Sequence, residues 1–302
     1  MNGAAMRPRD LALALLVIVV WGVNFSVIKI GLTGVPPLLL AALRFMLAAF
    51  PALLFLRPPK VPLRLYLVYG LTMSVGQFAF LFTAIHLGMP SGLASLVLQS
   101  QSFFTLVLTV LWLKEKWHAQ QLAGLALAAA GLALIGSAHG ASMPLIGFLL
   151  TLAAAVMWAC GNIVSRAVGR HGPMNPLAFV VWASLVPPLP LLALSWLIEG
   201  PVAMSAALHD FTLRSFAAVT YIAWASTLLG YAGWNFLLAR YPVNRIAPFT
   251  LLVPLVGLTM GWLAFGETLK PLYFAGGALL MAGLLVNLFG IPTFVRLKWK
   301  RA

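Results

Sequence analysis

The sequence predicts an all-α polytopic membrane protein, with ten transmembrane helices in two inverted five-helix repeats and both termini cytoplasmic. Three observations lead there. The 302 residues are 62% hydrophobic and 8% charged, with a mean hydropathy of +1.01, far more apolar surface than a soluble monomer could bury. The chain divides into ten apolar runs of the length a span needs, about 20 residues for about 30 Å of hydrocarbon. The second half also repeats the first: a shift of 152 positions lays Pro90, Leu106, Leu111, Glu115, Gly124 and Gly131 on Pro242, Leu258, Leu263, Glu267, Gly276 and Gly283 without a gap. Chance apolar matches are common in such a composition, but a matched glutamate is not, because the chain holds only five acidic residues. An odd number of spans per copy turns the second copy upside down relative to the first, as in many secondary transporters.

The ten runs are Leu11–Leu32, Pro37–Leu56, Leu65–Leu87, Gly92–Leu113, Gln120–Ser137, Pro144–Ser165, Pro176–Ile198, Ser215–Ala239, Asn244–Phe265 and Leu272–Ile291. Arg7-Pro8-Arg9 before the first run resembles a signal peptide, yet the apolar stretch continues past Trp21 with no small-residue cleavage site, so it reads as an uncleaved span. Residues 1–10 are then a cytoplasmic N-terminus, 11–137 the first repeat, 144–291 the second and 292–302 a basic cytoplasmic tail. Trp21 and Asn24 match Trp158 and Asn162 at offsets of 137 and 138, so about 14 extra residues enter copy two later, and Glu199–Arg214 is the longest connection. The loops leave no room for a soluble catalytic domain.

A formal charge of +14 could suggest nucleic acid, but its placement argues for a membrane. With the N-terminus inside, 15 of the 19 Lys and Arg fall on inner segments, Arg214 and Lys270 lie outside, and Lys29 and Arg44 lie within spans. The basic tail then meets anionic lipid headgroups. The single cysteine, Cys160, excludes an internal disulfide, and no Cys/His cluster has metal-binding spacing.

Polar groups in hydrocarbon are costly and should face protein or a cavity. In the first span Asn24 lies one turn after Trp21, and Trp158 and Asn162 repeat the pair in the sixth; the amides either meet an amino acid's ammonium and carboxylate or bond between helices. Lys29 lies near the outer end of the first span, where it can snorkel. Arg44 lies deeper in the second, where it pairs with carbonyls or headgroups or attracts a substrate carboxylate. Gln77 and Phe78 in the third span, and Ser95, Gln99 and Ser102 on one face of the fourth, extend the polar surface or serve as packing glue. Matched Gly124/Gly131 and Gly276/Gly283 in the fifth and tenth spans let helices approach closely. In the eighth, Tyr221, Trp224, Leu228, Tyr231 and Asn235 recur at helical spacing, as a cavity wall or as core. Pro248 and Pro254 can bend the ninth, as a gate or a packing kink. No span holds an Asp or Glu, which argues against efflux of lipophilic cations and leaves facilitated diffusion, exchange or coupling through another group. His86, at the end of the third span, is a candidate for that group or an interfacial residue.

Trp21-Gly-Val-Asn24-Phe25, Arg44, the stretch from Gly88 to Gln101 closed by Glu115, and in copy two Trp158-Ala-Cys-Gly-Asn162, Tyr241 to Pro248 and Phe265-Gly-Glu267-Thr268 resemble the drug/metabolite transporter superfamily, specifically its EamA-type ten-span exporters. Within that group, segments such as Leu93 to Gln99, Leu149 to Ala155 and Leu251 to Leu258 resemble bacterial exporters of O-acetylserine and cysteine-pathway metabolites. The resemblance implies a bacterial inner-membrane carrier with a cavity lined by the first, third, fourth, sixth, eighth and ninth spans, braced by the fifth and tenth. It implies a small metabolite as substrate, with no cofactor, no metal, no catalytic residues and no nucleic-acid partner; a monomer suffices. A broad-substrate exporter of amphipathic drugs is the alternative, and an intramembrane lipid-modifying enzyme lacks any Ser/His, paired-carboxylate or metal constellation.

Overall fold

The computed structural model describes residues 6–289 apart from positions 115, 117 and 269. The expectations for Glu115 and for the basic tail lie outside the described residues. Among the described residues ten helices are long and apolar enough to cross a membrane: Pro8–Gly31, Pro37–Leu54, Leu63–His86, Ser91–Trp112, Ala119–Ser137, Leu145–His171, Pro176–Glu199, Leu213–Arg240, Ala247–Phe265 and Pro271–Phe289. Each coincides with one of the ten apolar runs, but the first and seventh extend far enough to take in Asp10 and Glu199, against the expectation that no span holds an acidic residue; both carboxylates sit at helix ends, where they find partners. Proline opens or immediately precedes most of them, where its missing N–H removes no helical bond. The long connection after the seventh span carries a further helix, Pro201–His209, which buries Ala207.

Four spans depart from regular α-helix at related positions. The third contains a π segment at Gly70–Gly76 and the eighth another at Tyr221–Leu229. The 152-residue shift carries 70–76 onto 222–228, inside the second segment. The fourth has a 3-10 turn at Leu98–Ser100 and the ninth one at Ala247–Leu252. In the ninth, Pro248 lies at the start of the 3-10 segment and Pro254 at the start of the helix that follows, so the missing amide donors loosen the α ladder. The two breaks touch: Gln99 Nε2 donates to the Thr250 carbonyl at 3.2 Å.

Small residues set the closest approaches. A Cβ on Gly131 would lie 2.5 Å from the Gly276 carbonyl, and one on Gly283 would lie 2.5 Å from the Gly124 carbonyl. The fifth and tenth spans therefore run antiparallel, backbone on backbone, through glycines that the repeat matches. The first, fourth and ninth spans close on one another in the same way: a Cβ on Gly22 would meet the Val253 carbonyl at 3.0 Å, and one on Gly92 would lie 2.9 Å from Leu258 Cα.

Candidate substrate site

The second and third spans of copy one face the seventh and eighth of copy two across a small cavity. Arg44 and Phe45 come from the second span, Tyr69, Met73, Ser74 and Phe78 from the third, Val180 and Ser184 from the seventh, and Thr227 and Tyr231 from the eighth. Met73, Ser74 and Thr227 belong to the π segments, whose wide turns are frequent at functional sites. The cavity holds only about 20 Å³, room for about one water molecule. The cavity is thus too small to hold anything much larger.

Arg44 dominates this cavity. Its side chain is buried; Nη2 donates to Thr227 Oγ1 at 3.0 Å, while Nε and Nη1 have no partner among the described residues. The guanidinium carbon lies 3.7 Å from the Phe78 ring centroid and 5.1 Å from that of Phe45, so aromatic faces offset part of its charge. An unpaired buried cation still costs several kcal/mol.

A second, wider basin of about 290 Å³ opens where the second span leads into the third and the sixth into the seventh, lined by Arg57, Pro59, Lys60, His171, Pro173, Met174, Asn175 and Ala178. An aromatic cluster adjoins both spaces: Phe179 meets the Tyr66 ring at 4.9 Å and the ring of Tyr69, a cavity residue, at 5.0 Å. Its neighbours in the seventh span divide between the two, Ala178 lining the basin and Val180 the cavity.

Both ends of the seam are tied by carboxylates. At one end Glu267 accepts hydrogen bonds from Lys29 Nζ at 2.7 Å, the Ser91 amide at 2.8 Å, the Ser91 hydroxyl at 3.0 Å and the Gly92 amide at 3.0 Å. It caps the fourth span, where the helix dipole favours a negative charge. Burial by itself would raise the pKa of this carboxyl, but the bonds from Lys29, Gly92 and Ser91 outweigh it and hold it below the ordinary carboxylate value. Glu199 caps the second span likewise, accepting from the Leu38 and Leu39 amides at 2.6 and 3.2 Å. At the opposite end of the first span, Asp10 accepts from Tyr241 Oη at 2.6 Å, and Arg240 Nη1 lies 3.5 Å away. Each of these three carboxylates joins copy one to copy two.

A ten-span protein with a small seam cavity could serve several superfamilies; comparison with known proteins decides between them. The EamA-like transporter family model matches residues 10–137 and again 145–289. The chain belongs to the EamA-like transporter family. It is 50% identical over 288 residues to a "probable amino-acid metabolite efflux pump" of Salmonella typhimurium, covering 94% of this chain and 96% of that protein. It is 47% identical over 300 residues to the protein of the same description from Escherichia coli K12, covering 98% of each. A "probable terminal-alkyne amino-acid exporter" of Streptantibioticus cattleyicolor is 29% identical, with 90% of each chain covered. A solved crystal structure shares the fold at a TM-score of 0.60 and 19% identity, covering 93% of this chain and 97% of that one.

In this EamA-like transporter the residues singled out from sequence separate into groups. Arg44, Phe78 and Tyr231 meet at the cavity. Trp21 stands behind Tyr231, its ring 5.8 Å away, and donates to the Ser226 carbonyl at 2.9 Å, holding the first span against the π segment of the eighth. Asn24 and Gln77 are buried outside the cavity lining, and Asn24 Oδ1 and Gln77 Oε1 have no partner among the described residues. Asn162 does not join Asn24: its Nδ2 donates to Gln101 Oε1 at 2.8 Å and Thr105 Oγ1 at 3.0 Å, the interhelical alternative. Ser95 bonds the Gly92 carbonyl at 2.6 Å and packs against Gly257, away from the cavity. Trp158 packs between two hydrophobic clusters, and Asn235 is half-buried outside the cavity wall. Tyr221 Oη donates to the Val20 carbonyl at 2.9 Å. Trp224 turns outward, 43% exposed, with its indole on the Leu47 carbonyl at 3.0 Å. Lys29 does not snorkel freely but pairs with Glu267.

The cavity walls also differ from the set that the resemblance implied. The second and seventh spans take part, while the first, fourth, sixth and ninth contribute no wall residue. The physical reason is the close packing of the first, fourth and ninth spans at Gly22, Gly92 and Gly257, which leaves no volume between them. Sequence reading missed Tyr69, Met73, Ser74, Val180, Ser184 and Thr227. The repeat register held a signal for two of them, because Tyr69 and Ser74 fall on Tyr221 and Ser226.

Proposed function

We propose that this chain exports small amino-acid-like metabolites, unaltered, across a bacterial inner membrane by alternating access, its two five-span halves rocking about the cavity at their seam. The observation that carries this reading is the cavity itself, with walls drawn from corresponding spans of the two copies, two and seven, three and eight. A rocking motion that parts the copies widens that cavity toward one side at a time. Carboxylate ties at both ends of the seam fit a carrier resting in a closed state, with Lys29–Glu267 gating one end and Asp10–Tyr241 the other. The antiparallel glycine contact between the fifth and tenth spans supports an inverted relation between the halves, and the distribution of Lys and Arg supports cytoplasmic termini. Two relatives described as "probable amino-acid metabolite efflux pump" support the substrate class, and the resemblance to O-acetylserine and cysteine-pathway exporters narrows it. The basic tail rests on anionic lipid, and one chain is sufficient for the cycle.

The test is metabolite profiling of medium from cells overexpressing the chain, followed by counterflow of labelled O-acetyl-L-serine in proteoliposomes. Export and counterflow of the unchanged compound are expected. Competition by aromatic drugs but not by amino acids would replace this reading with the drug exporter, and recovery of a chemically altered substrate would replace it with an enzyme.

A further inference from the structure

Among the described residues the buried charged side chains are Asp10 and Arg44. Asp10 has Tyr241 and Arg240 beside it, whereas Arg44 has no anion among the described residues. The other described carboxylates are committed elsewhere: Glu199 to the second span's amides, Asp210 to His209, and Glu267 to Lys29 and the fourth span. Phe45, Phe78 and Thr227 cushion the guanidinium, yet Nε and Nη1 keep unspent donors at the wall of a cavity. A cation held in a membrane interior without its partner is stabilised most when a ligand brings the missing negative charge.

The basin has the same sign. Arg57 and Lys60 line it, no carboxylate among the described residues does, and the Tyr66–Phe179–Tyr69 cluster adjoins both it and the cavity. A cationic mouth, an aromatic cluster and a cationic terminus form a route suited to a small anion. Among the described residues the cavity lining holds no carboxylate, so a substrate ammonium meets no counter-charge of its own there.

Resting on the reading of this cavity as the substrate site, we infer that the transporter reads its substrate by the carboxylate, which travels from the basin past Phe179 to Nε and Nη1 of Arg44. The required group is then a free carboxylate and the ammonium is optional. The class extends from amino acids to N-acyl amino acids and 2-hydroxy acids of similar size, and it excludes amino-acid amides and esters.

The test is equilibrium binding, which needs no transport. Thermal unfolding of the purified full-length protein is followed by tryptophan fluorescence with O-acetyl-L-serine, N-acetyl-L-serine or L-lactate, and in parallel with serinamide or serine methyl ester. The acids are expected to raise the midpoint with apparent affinities at least about tenfold tighter than the amide and ester, because a charge-assisted bond is lost with the carboxylate. Arg44→Gln removes the difference and Arg44→Lys retains part of it. Equal stabilisation by acids and amides, or discrimination that persists in Arg44→Gln, overturns the inference. Should Arg44→Gln fail to fold, the wild-type comparison with Arg44→Lys still decides. The two readings fail separately: Arg44-dependent binding of acids without export sinks the transport reading alone, and export with equal binding of amides sinks the carboxylate reading alone.

Discussion

Lys29 Nζ and Glu267 Oε1 lie 2.7 Å apart, an ion pair that ties the end of the first span to the connection between the ninth and tenth. The same carboxylate holds the first two amides of the fourth span, so a single side chain of copy two fastens two spans of copy one. Asp10 and Tyr241 make the corresponding tie at the other end of the first span, about 28 Å away at 1.5 Å per residue.

Glu267→Gln keeps the shape of the cap and removes its charge, so the end of the seam that carries Ser91 should open more often. In a Cys160→Ser background, a cysteine at Ser95 is expected to react with an impermeant maleimide several-fold faster when Glu267→Gln is present. Tyr241→Phe loosens the opposite end and should slow that labelling by favouring the other opening. Unchanged labelling rates in both variants would deny the ties any part in gating.

The depressed pKa of Glu267 sets the pH dependence of this tie. A carboxyl whose folded pKa lies below its unfolded value contributes stability that is present above the unfolded pKa, about 4.3, and is lost as pH falls through the folded one. Between pH 6 and pH 3, the melting midpoint of the wild type should therefore fall more than that of Glu267→Gln. Parallel curves for the two proteins would show that the carboxylate carries no net stability.

At the contact of the fifth and tenth spans, a Cβ on Gly131 would lie 2.5 Å from the Gly276 carbonyl, a backbone atom that cannot turn aside. Gly131→Ala should force the two helices apart and cost about 1–3 kcal/mol, the usual range for overpacking. Gly169→Ala is the control, since nothing lies within 4 Å of a Cβ there. Melting midpoints of the two variants, measured side by side, check the difference.

The basin offers a kinetic prediction. Reversing charge at Arg57 and Lys60 to Glu replaces attraction by repulsion at the mouth of the route, while Arg44 stays in place. Counterflow of O-acetylserine should show a raised apparent KM with little change in maximal rate, and the effect should shrink as salt is raised. A fall in maximal rate with constant KM would place these residues in the conformational cycle instead.

Much of the architecture was legible in the chain because it depends on local properties. Apolar runs of spanning length define the ten helices, and a scarce residue, glutamate, makes the repeat recognisable at Glu115 and Glu267. The site was legible only in part. Reading the eighth span as a regular helix puts Tyr221, Trp224, Tyr231 and Asn235 on one face. The π segment at Tyr221–Leu229 widens the turn and breaks that alignment, sending Tyr231 to the cavity, Tyr221 to the first span and Trp224 outward.

By itself, then, the sequence determined the number, length and order of the spans and the duplication, since hydrophobic length and repeat register are written along the chain. Tertiary structure decided which polar groups meet. Lys29 reaches Glu267 across 238 positions and Arg44 reaches Thr227 across 183, pairings that depend on how each helix is rotated and where its ladder is broken. It also decided that Arg44 has no anionic partner among the described residues, a fact that no spacing of residues contains, because the place of a counter-charge belongs to the packed assembly of spans and not to any one of them.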